Sequence, residues 1–237
     1  MRQVFASCSS YSLGQLFGVK EACALITQSV QDETKKLPCF AVASLRELVK
    51  FCEVTLRVDG GASHIGKSRS RHFAEAFDSG ADVWLSIDDD VSATRETLQW
   101  MVQAVTEPGA HIVIAPCQLR GQLRVNVNFA DVIVERRTQG GASLRNAKSG
   151  GFGLVAMNRA AMGLVAAASP TWKDPSDGKT KPAPFLEVLE DDGTWLGEDL
   201  AFFRRVPTGP KGVTVEAITS GTTMHAGYEL ALEILRA

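Results

Sequence analysis

Apolar and polar positions change period along the first half of the chain, and each period predicts an element. Gln3 to Cys8 and Glu53 to Val58 read as strands, and the run Ala81-Asp82-Val83-Trp84-Leu85-Ser86-Ile87 reads as a buried strand. Helical spacing predicts helices over Leu13 to Val30, Ser44 to Phe51 and Ser63 to Phe77. In the last of these, Ile65, Arg69, His72, Phe73, Ala76 and Phe77 share one stripe. Arg69 is the odd member of that inward face. A buried arginine needs a carboxylate partner, and Asp88 is the nearest candidate in this topology. Ser92 is placed to cap a helix carrying Leu98, Met101, Val102 and Val105, and His111 to Ala115 is a strand stopped by Pro116. Strands alternating with helices predict a parallel, doubly wound sheet whose ligands sit at the carboxyl ends of its strands.

The second half is less regular. Short strands are expected at Leu123 to Val127 and at Val132 to Val134. Gly150-Gly151-Phe152-Gly153 leads into an apolar run through Met157, and Asn158 caps a short Ala-rich helix. Ser169 to Ala183 reads as a polar loop with three prolines. Gly197-Glu198-Asp199 opens a helix through Phe203, Val213 to Ile218 is a strand, and Tyr228 to Leu235 a terminal helix. No internal repeat or composition shift divides the chain, so one domain is expected.

Composition narrows the picture. With 237 residues, 45% hydrophobic and 22% charged, the chain is an ordinary globular protein able to bury a large core. A net charge of −2 predicts no strong pull to membranes or nucleic acid. The charge is uneven, however. Arg120, Arg124, Arg136, Arg137, Arg145 and Lys148 face only Asp131 and Glu135 in one segment, whereas 187–199 is acidic with no Lys or Arg. The 5 cysteines form no Cys-x-x-Cys pair, which suggests reduced thiols in a cytoplasm-like compartment. No signal peptide is evident, and no apolar stretch approaches the roughly 18 residues that span a bilayer.

The chemistry concentrates at Asp88-Asp89-Asp90, which ends the buried strand. Adjacent carboxylates repel one another and lose hydration there, and a divalent cation relieves both costs. In an extended segment Asp88 and Asp90 would point the same way and grip one face of an ion. The other face would stay free for substrate phosphates.

Four features occur in order: the Asp triplet, the Gly150–Gly153 loop, Glu198-Asp199 at a helix start, and His225 near the C-terminus. Together they resemble the GT-A glycosyltransferases, with their acidic strand-end motif, glycine loop, x-Glu-Asp motif and late metal-binding histidine. Ser68-Arg69-Ser70-Arg71, Phe73 and the run from Val83 to Asp90 resemble the Ala-Arg-Asn … Phe … Ile-Asp-Asp-Asp phrase of small phage-type members. Trp195 to Phe202 is similar to their Ser-Glu-Asp-x-x-Phe segment. The resemblance covers roughly residues 40 to 230. Ser68 and Ser70 depart from it, standing where those members have Ala and Asn, and 14–36 looks like an insertion.

The resemblance implies an α/β fold: a GT-A type, Rossmann-like mixed sheet flanked by helices in a single domain. A nucleotide-sugar half would span about 1–116 and an acceptor half about 117–237. It implies metal-dependent transfer of a sugar from a nucleotide-diphosphate sugar, expected to be a UDP-sugar, to an acceptor hydroxyl with inversion. Asp88, Asp90 and His225 would contact Mn²⁺ or Mg²⁺, with Asp90 the direct ligand. Asp199 would be the general base, and Glu198 would bind the acceptor or orient the helix. Arg69 and Lys67 would neutralise the diphosphate or brace the triplet, to which Asp89 belongs. Asp59, with Ser7 and Ser9 alongside, would take the base or ribose. Gly151 and Gly153 would let backbone amides approach the sugar. The acceptor would be a saccharide or a hydroxymethylated pyrimidine in DNA, the latter facing the basic segment. The rival readings are a nucleotidyltransferase, disfavoured by Ser7-Cys8-Ser9-Ser10 where a Gly-rich phosphate loop belongs, and a catalytically silent nucleotide-sugar-binding module.

Overall fold

A computed structural model describes residues 2–10, 27–32, 34, 39–60, 64–118, 125–225 and 228–231. β1 (Gln3–Ser10) is followed, after helical residues at 27–31, by α1 (Phe40–Leu48) and β2 (Glu53–Gly60). Then come α2 (Ile65–Ser79), β3 (Val83–Asp88), β4 (Val91–Ala93), α3 (Arg95–Val105) and β5 (Ala110–Ile114). The second half carries β6 (Val127–Phe129), β7 (Glu135–Arg137), β8 (Ser143–Gly150), β9 (Leu154–Asn158) and α4 (Arg159–Ala168). It continues with β10 (Thr171–Lys173), β11 (Thr180–Pro182), β12 (Val188–Leu189), β13 (Trp195–Leu196) and α5 (Glu198–Arg205). β14 (Val213–Ile218), β15 (Thr222–His225) and β16 (Tyr228–Ala231) complete the order.

The main sheet runs β2-β1-β3-β9-β5-β14-β8-β6, with β7 also on β8. β1 is parallel to both β2 and β3, and β14 is parallel to β5. β9 runs antiparallel between β3 and β5. The expected parallel directions therefore hold, but β3 and β5 are not neighbours, because a strand from the second half is inserted between them. The result is the mixed α/β sheet, flanked by helices, that a GT-A type fold requires.

Alternation along the strands divides the core. Val4, Ala6, Leu85 and Ile87 pack with Leu45 and Leu48 of α1 and with Leu98 and Met101 of α3. Phe5 and Trp84 belong to the opposite layer, with Phe73 of α2, Met162 of α4 and Phe202 of α5. Strands covered on both faces read as continuous apolar runs, and β9 is buried at every position.

Several local expectations are corrected. Thr94 caps α3, its hydroxyl accepting from Thr97 N at 3.3 Å, while Ser92 belongs to β4. Val132, Ile133 and Val134 form no strand and are exposed; the strand there is β7. The polar segment at 169–183 holds the β10–β11 hairpin. Tyr228 begins a strand rather than a helix: β16 pairs with β15, which satisfies its backbone by inter-strand bonds. Of the helix expected at 13–30, only 27–30 lie among the described residues, and they are helical. Arg120, Leu123 and Arg124 lie outside the described residues. No helix among the described residues is long and apolar enough to cross a membrane.

Candidate active site

Asp88 is the last residue of β3, and α2 delivers Arg69 to it as the helical stripe predicts. Arg69 is 2% exposed. Its Nη2 donates to Asp88 Oδ1 at 2.9 Å and to Oδ2 at 2.8 Å. Its Nη1 donates to Asp199 Oδ1 at 2.6 Å and to Glu198 Oε1 at 3.3 Å, both in the first turn of α5. The Phe152 ring centroid lies 5.7 Å from the guanidinium carbon. Three carboxylates thus share one buried cation.

Burial, with that imbalance, sets their titration. Burial works against the Arg69 charge, but Asp88, Asp199 and Glu198 outweigh it and hold the guanidinium well above its usual range. Burial pushes Asp88 up, against the pull of Arg69. Burial also pushes Asp199 up to about 6; Arg69 opposes this and Glu198 adds to it. The Phe152 N–H donates to Asp199 Oδ2 at 3.2 Å and fixes the second oxygen. Asp199 keeps 30% of its side chain accessible, so a substrate proton can reach it.

Asp90 lies apart from this cluster. Asp89 and Asp90 leave the strand in a turn, so the i, i+2 alternation expected of Asp88 and Asp90 does not reach Asp90. Asp88 goes to Arg69. Asp90 goes to His225, which β15 carries beside β4 with His225 opposite Val91. Asp90 Oδ2 and His225 Nε2 are 3.3 Å apart. His225 Nδ1 lies 2.6 Å from the Gln118 carbonyl, which can only accept, so Nδ1 carries the hydrogen. In the neutral ring this leaves an Nε2 lone pair turned to a carboxylate. An imidazole anchored through its other nitrogen and one carboxylate oxygen are a donor set of the kind a divalent ion accepts. No group of three or more His, Cys, Asp or Glu among the described residues is arranged to hold a metal by itself. Burial and the nearby Asp88 and Asp90 push the Cys117 thiol up to about 12, which leaves it an inert neighbour.

The glycine loop joins these parts. Gly153 O accepts from Asp88 N at 2.9 Å, and Gly151 N donates to Asn126 O at 2.7 Å. A Cβ on Gly151 would stand 2.7 Å from Asn126 Nδ2, and one on Gly153 would stand 3.2 Å from Val91 Cγ2. Both glycines therefore serve close packing that aims Phe152 N–H at Asp199. Asp89 O accepts from Ala41 N at 3.3 Å, tying the triplet to α1.

The remaining expected residues are scattered. Asp59 accepts from the Ser68 hydroxyl at 2.6 Å, and by register Ser9 stands between Asp59 and Asp88. Ser7 is buried, and its hydroxyl accepts the Trp84 indole N–H at 2.9 Å; it braces the core and does not face a donor. Lys67 Nζ lies 5.5 Å from the Trp172 ring centroid, and Lys67 makes none of the contacts of the Arg69 cluster. Sequence reasoning missed Asn126, Gln118 and Phe152. Only Phe152 carried a signal, as a large apolar residue set between glycines.

Three cations of the basic segment, Arg136, Arg145 and Lys148, are paired with carboxylates. Arg136 donates to Glu216 at 2.5 and 2.6 Å and pairs with Glu107. Arg145 donates to Glu135 at 2.5 Å and Lys148 to Asp131 at 2.6 Å.

No family model matches the chain, and no curated protein matches it. Among solved structures it is similar to A197 from STIV, with 18% identity and a TM-score of 0.55 over 98% of this chain and 91% of that one. That likeness concerns the fold alone. A mannose-1-phosphate geranyltransferase from Thermus thermophilus aligns over 68% of this chain and 58% of its own, at 12% identity and a TM-score of 0.39. S. aureus TarS 1-349 in complex with UDP-GlcNAc aligns over 92% and 58%, at 10% identity and a TM-score of 0.35. The last two likenesses are both distant.

Proposed function

We propose that this chain is a metal-dependent glycosyltransferase that moves a sugar from a nucleotide-diphosphate sugar, in the simplest case a UDP-sugar, to an acceptor hydroxyl with inversion. The observation that carries the reading is the buried Arg69 shared by Asp88, Glu198 and Asp199 at the end of β3. A carboxylate held up to about 6 is basic enough to take a proton yet still ionised at neutral pH. Asp199 accepts the proton of the acceptor hydroxyl as its oxygen attacks the anomeric carbon. The new carbon–oxygen bond forms as the bond to the diphosphate breaks, and the diphosphate leaves with the electron pair. Glu198 shares Arg69 with Asp199 and keeps the pair oriented.

Asp90 Oδ2 and His225 Nε2 would hold Mn²⁺ or Mg²⁺, with the donor diphosphate completing the coordination. When bound, such an ion neutralises charge that develops on the departing diphosphate. Asp59 and the backbone near Ser9 lie where the nucleoside would sit, at the carboxyl ends of β2 and β1. The pairing of Arg136, Arg145 and Lys148 with carboxylates favours a saccharide acceptor over a DNA acceptor, since a polyanion needs cations free to meet phosphates.

The test is UDP-sugar hydrolysis with added Mn²⁺, run beside Asp90→Ala and beside EDTA. Turnover lost in both would agree with the reading. Full turnover in EDTA or in the variant would overturn the metal site, and donor binding without any turnover would return the chain to a silent binding module.

A further inference from the structure

Along α2 from the Arg69 cluster lies a cavity of about 410 Å³. It falls within the range of small-molecule sites, about 300–1,000 Å³. Its apolar wall is Trp172, Phe185 and Leu186, and its polar groups include His64, Lys67 and Glu187. Gly66 marks where it meets the reaction centre. A Cβ on Gly66 would stand 3.2 Å from the Glu198 Cβ and 2.6 Å from the Phe185 carbonyl, so only glycine lets the wall come this close.

Trp172 is held in advance of any ligand. Its hairpin is pinned by Asp174, which is fully buried and accepts from Lys181 Nζ at 2.9 Å, from the Ser176 hydroxyl at 2.7 Å and from Arg71 Nε at 3.3 Å. Such a platform loses little freedom on binding. Its indole N–H is enclosed yet makes no hydrogen bond among the described residues.

We propose, on the glycosyl-transfer reading above, that this cavity is the acceptor subsite and that it takes a neutral pyranose. A sugar ring has an apolar C–H face suited to the Trp172 wall and a rim of hydroxyls suited to His64, Lys67 and Glu187. Lys67 and Glu187 balance each other in charge, which suits a neutral ring better than a phosphate. Across Gly66 the cavity abuts Glu198 in the first turn of α5, so a bound ring would sit beside Asp199, which would take the acceptor proton as the sugar–diphosphate bond breaks.

The experiment uses the full chain with methyl glycosides of glucose, mannose and N-acetylglucosamine at millimolar concentration, read by saturation-transfer NMR. At least one glycoside is expected to bind through its ring protons. Trp172→Ala should weaken it about 10-fold, the scale of one lost aromatic contact, while Trp172→Phe keeps most of the affinity. UDP binding with Mn²⁺, measured by calorimetry on the unmodified chain, judges the underlying reading separately. UDP bound with no glycoside engaged, or glycoside affinity unchanged in Trp172→Ala, would overturn the acceptor subsite and leave the transferase. Failure of UDP, and of GDP, CDP and TDP in the same experiment, to bind would overturn the transferase itself. Sugar transfer to an oligonucleotide carrying hydroxymethylcytosine, with no glycoside accepting, would also overturn the proposal.

Discussion

Two arginine–carboxylate clusters in this molecule use the same parts to opposite ends. At one, Arg136 on β7 meets Glu216 on β14 through two hydrogen bonds of 2.5 and 2.6 Å, with Glu107 on the same guanidinium and His111 3.8 Å from Glu216. Burial pushes Glu216 up, but His111 and Arg136 outweigh it and hold the carboxyl below its usual range. Arg136 and His111 face Glu216 and Glu107 there, and the cluster ties two strands together. At the other, Arg69 faces three carboxylates, and Asp199 is pushed up to about 6. The cation is identical in kind; at Asp199 burial outweighs the pull of Arg69 and the neighbouring Glu198 adds to it, whereas at Glu216 the cationic partners outweigh burial. Where cationic partners outweigh burial a carboxyl is lowered and inert, whereas burial with one shared cation raises a carboxyl to a value at which it exchanges protons near neutral pH.

The largest effect should come from removing the crowded cation. Arg69→Leu strips three carboxylates of their partner and is expected to cost about 3–5 kcal/mol in urea denaturation at pH 7. The sign with pH is fixed. Without Arg69 the folded-state acids rise further, so stability is regained as pH falls and they protonate, and is lost as pH rises through their raised values. A deficit that grows on acidification would contradict the shared-cation account.

Next comes Asp199→Asn, which keeps the shape of the helix start and removes proton acceptance. Sugar transfer should fall by roughly 10²–10⁴, with little change in donor binding by calorimetry. In the unmodified protein, transfer should rise with pH through about 6, as Asp199 ionises, and level off above it. Transfer near the unmodified rate in Asp199→Asn would reduce the residue to a helix-start acid.

The Arg136 cluster should answer differently. Glu216→Gln is expected to lose about 1.5–3 kcal/mol of stability and leave donor turnover untouched. The smallest effect belongs to the surface. Lys148 and Asp131 keep 54% and 87% of their side chains exposed, so Lys148→Ala should stay within about 0.5 kcal/mol.

How much of this was legible in the sequence follows from what each feature depends on. Arg69 with Asp88 was legible, because the α2 stripe and the end of an apolar strand are local patterns. That Glu198 and Asp199 join the same guanidinium was not, since α5 comes 129 and 130 residues later and reaches Arg69 only through tertiary packing. The Asp90–His225 pair was half legible. The Asp triplet and His225 were both singled out, but the turn after Asp88 splits the triplet between two partners. Tyr228 to Ala231 fits a helical and an alternating pattern equally, and pairing with β15 decides for a strand. Val132 to Val134 has strand propensity but lies exposed outside any strand, a case of context overriding preference.

The most direct test of the central claim needs no substrate. ¹³C NMR titration of the side-chain carboxyls, with Asp199 assigned through Asp199→Asn, reports its ionisation in the free protein. The account predicts a midpoint near 6 for Asp199, with Glu216 titrating below the usual glutamate range. A midpoint for Asp199 at the ordinary aspartate value of about 3.9 would contradict it.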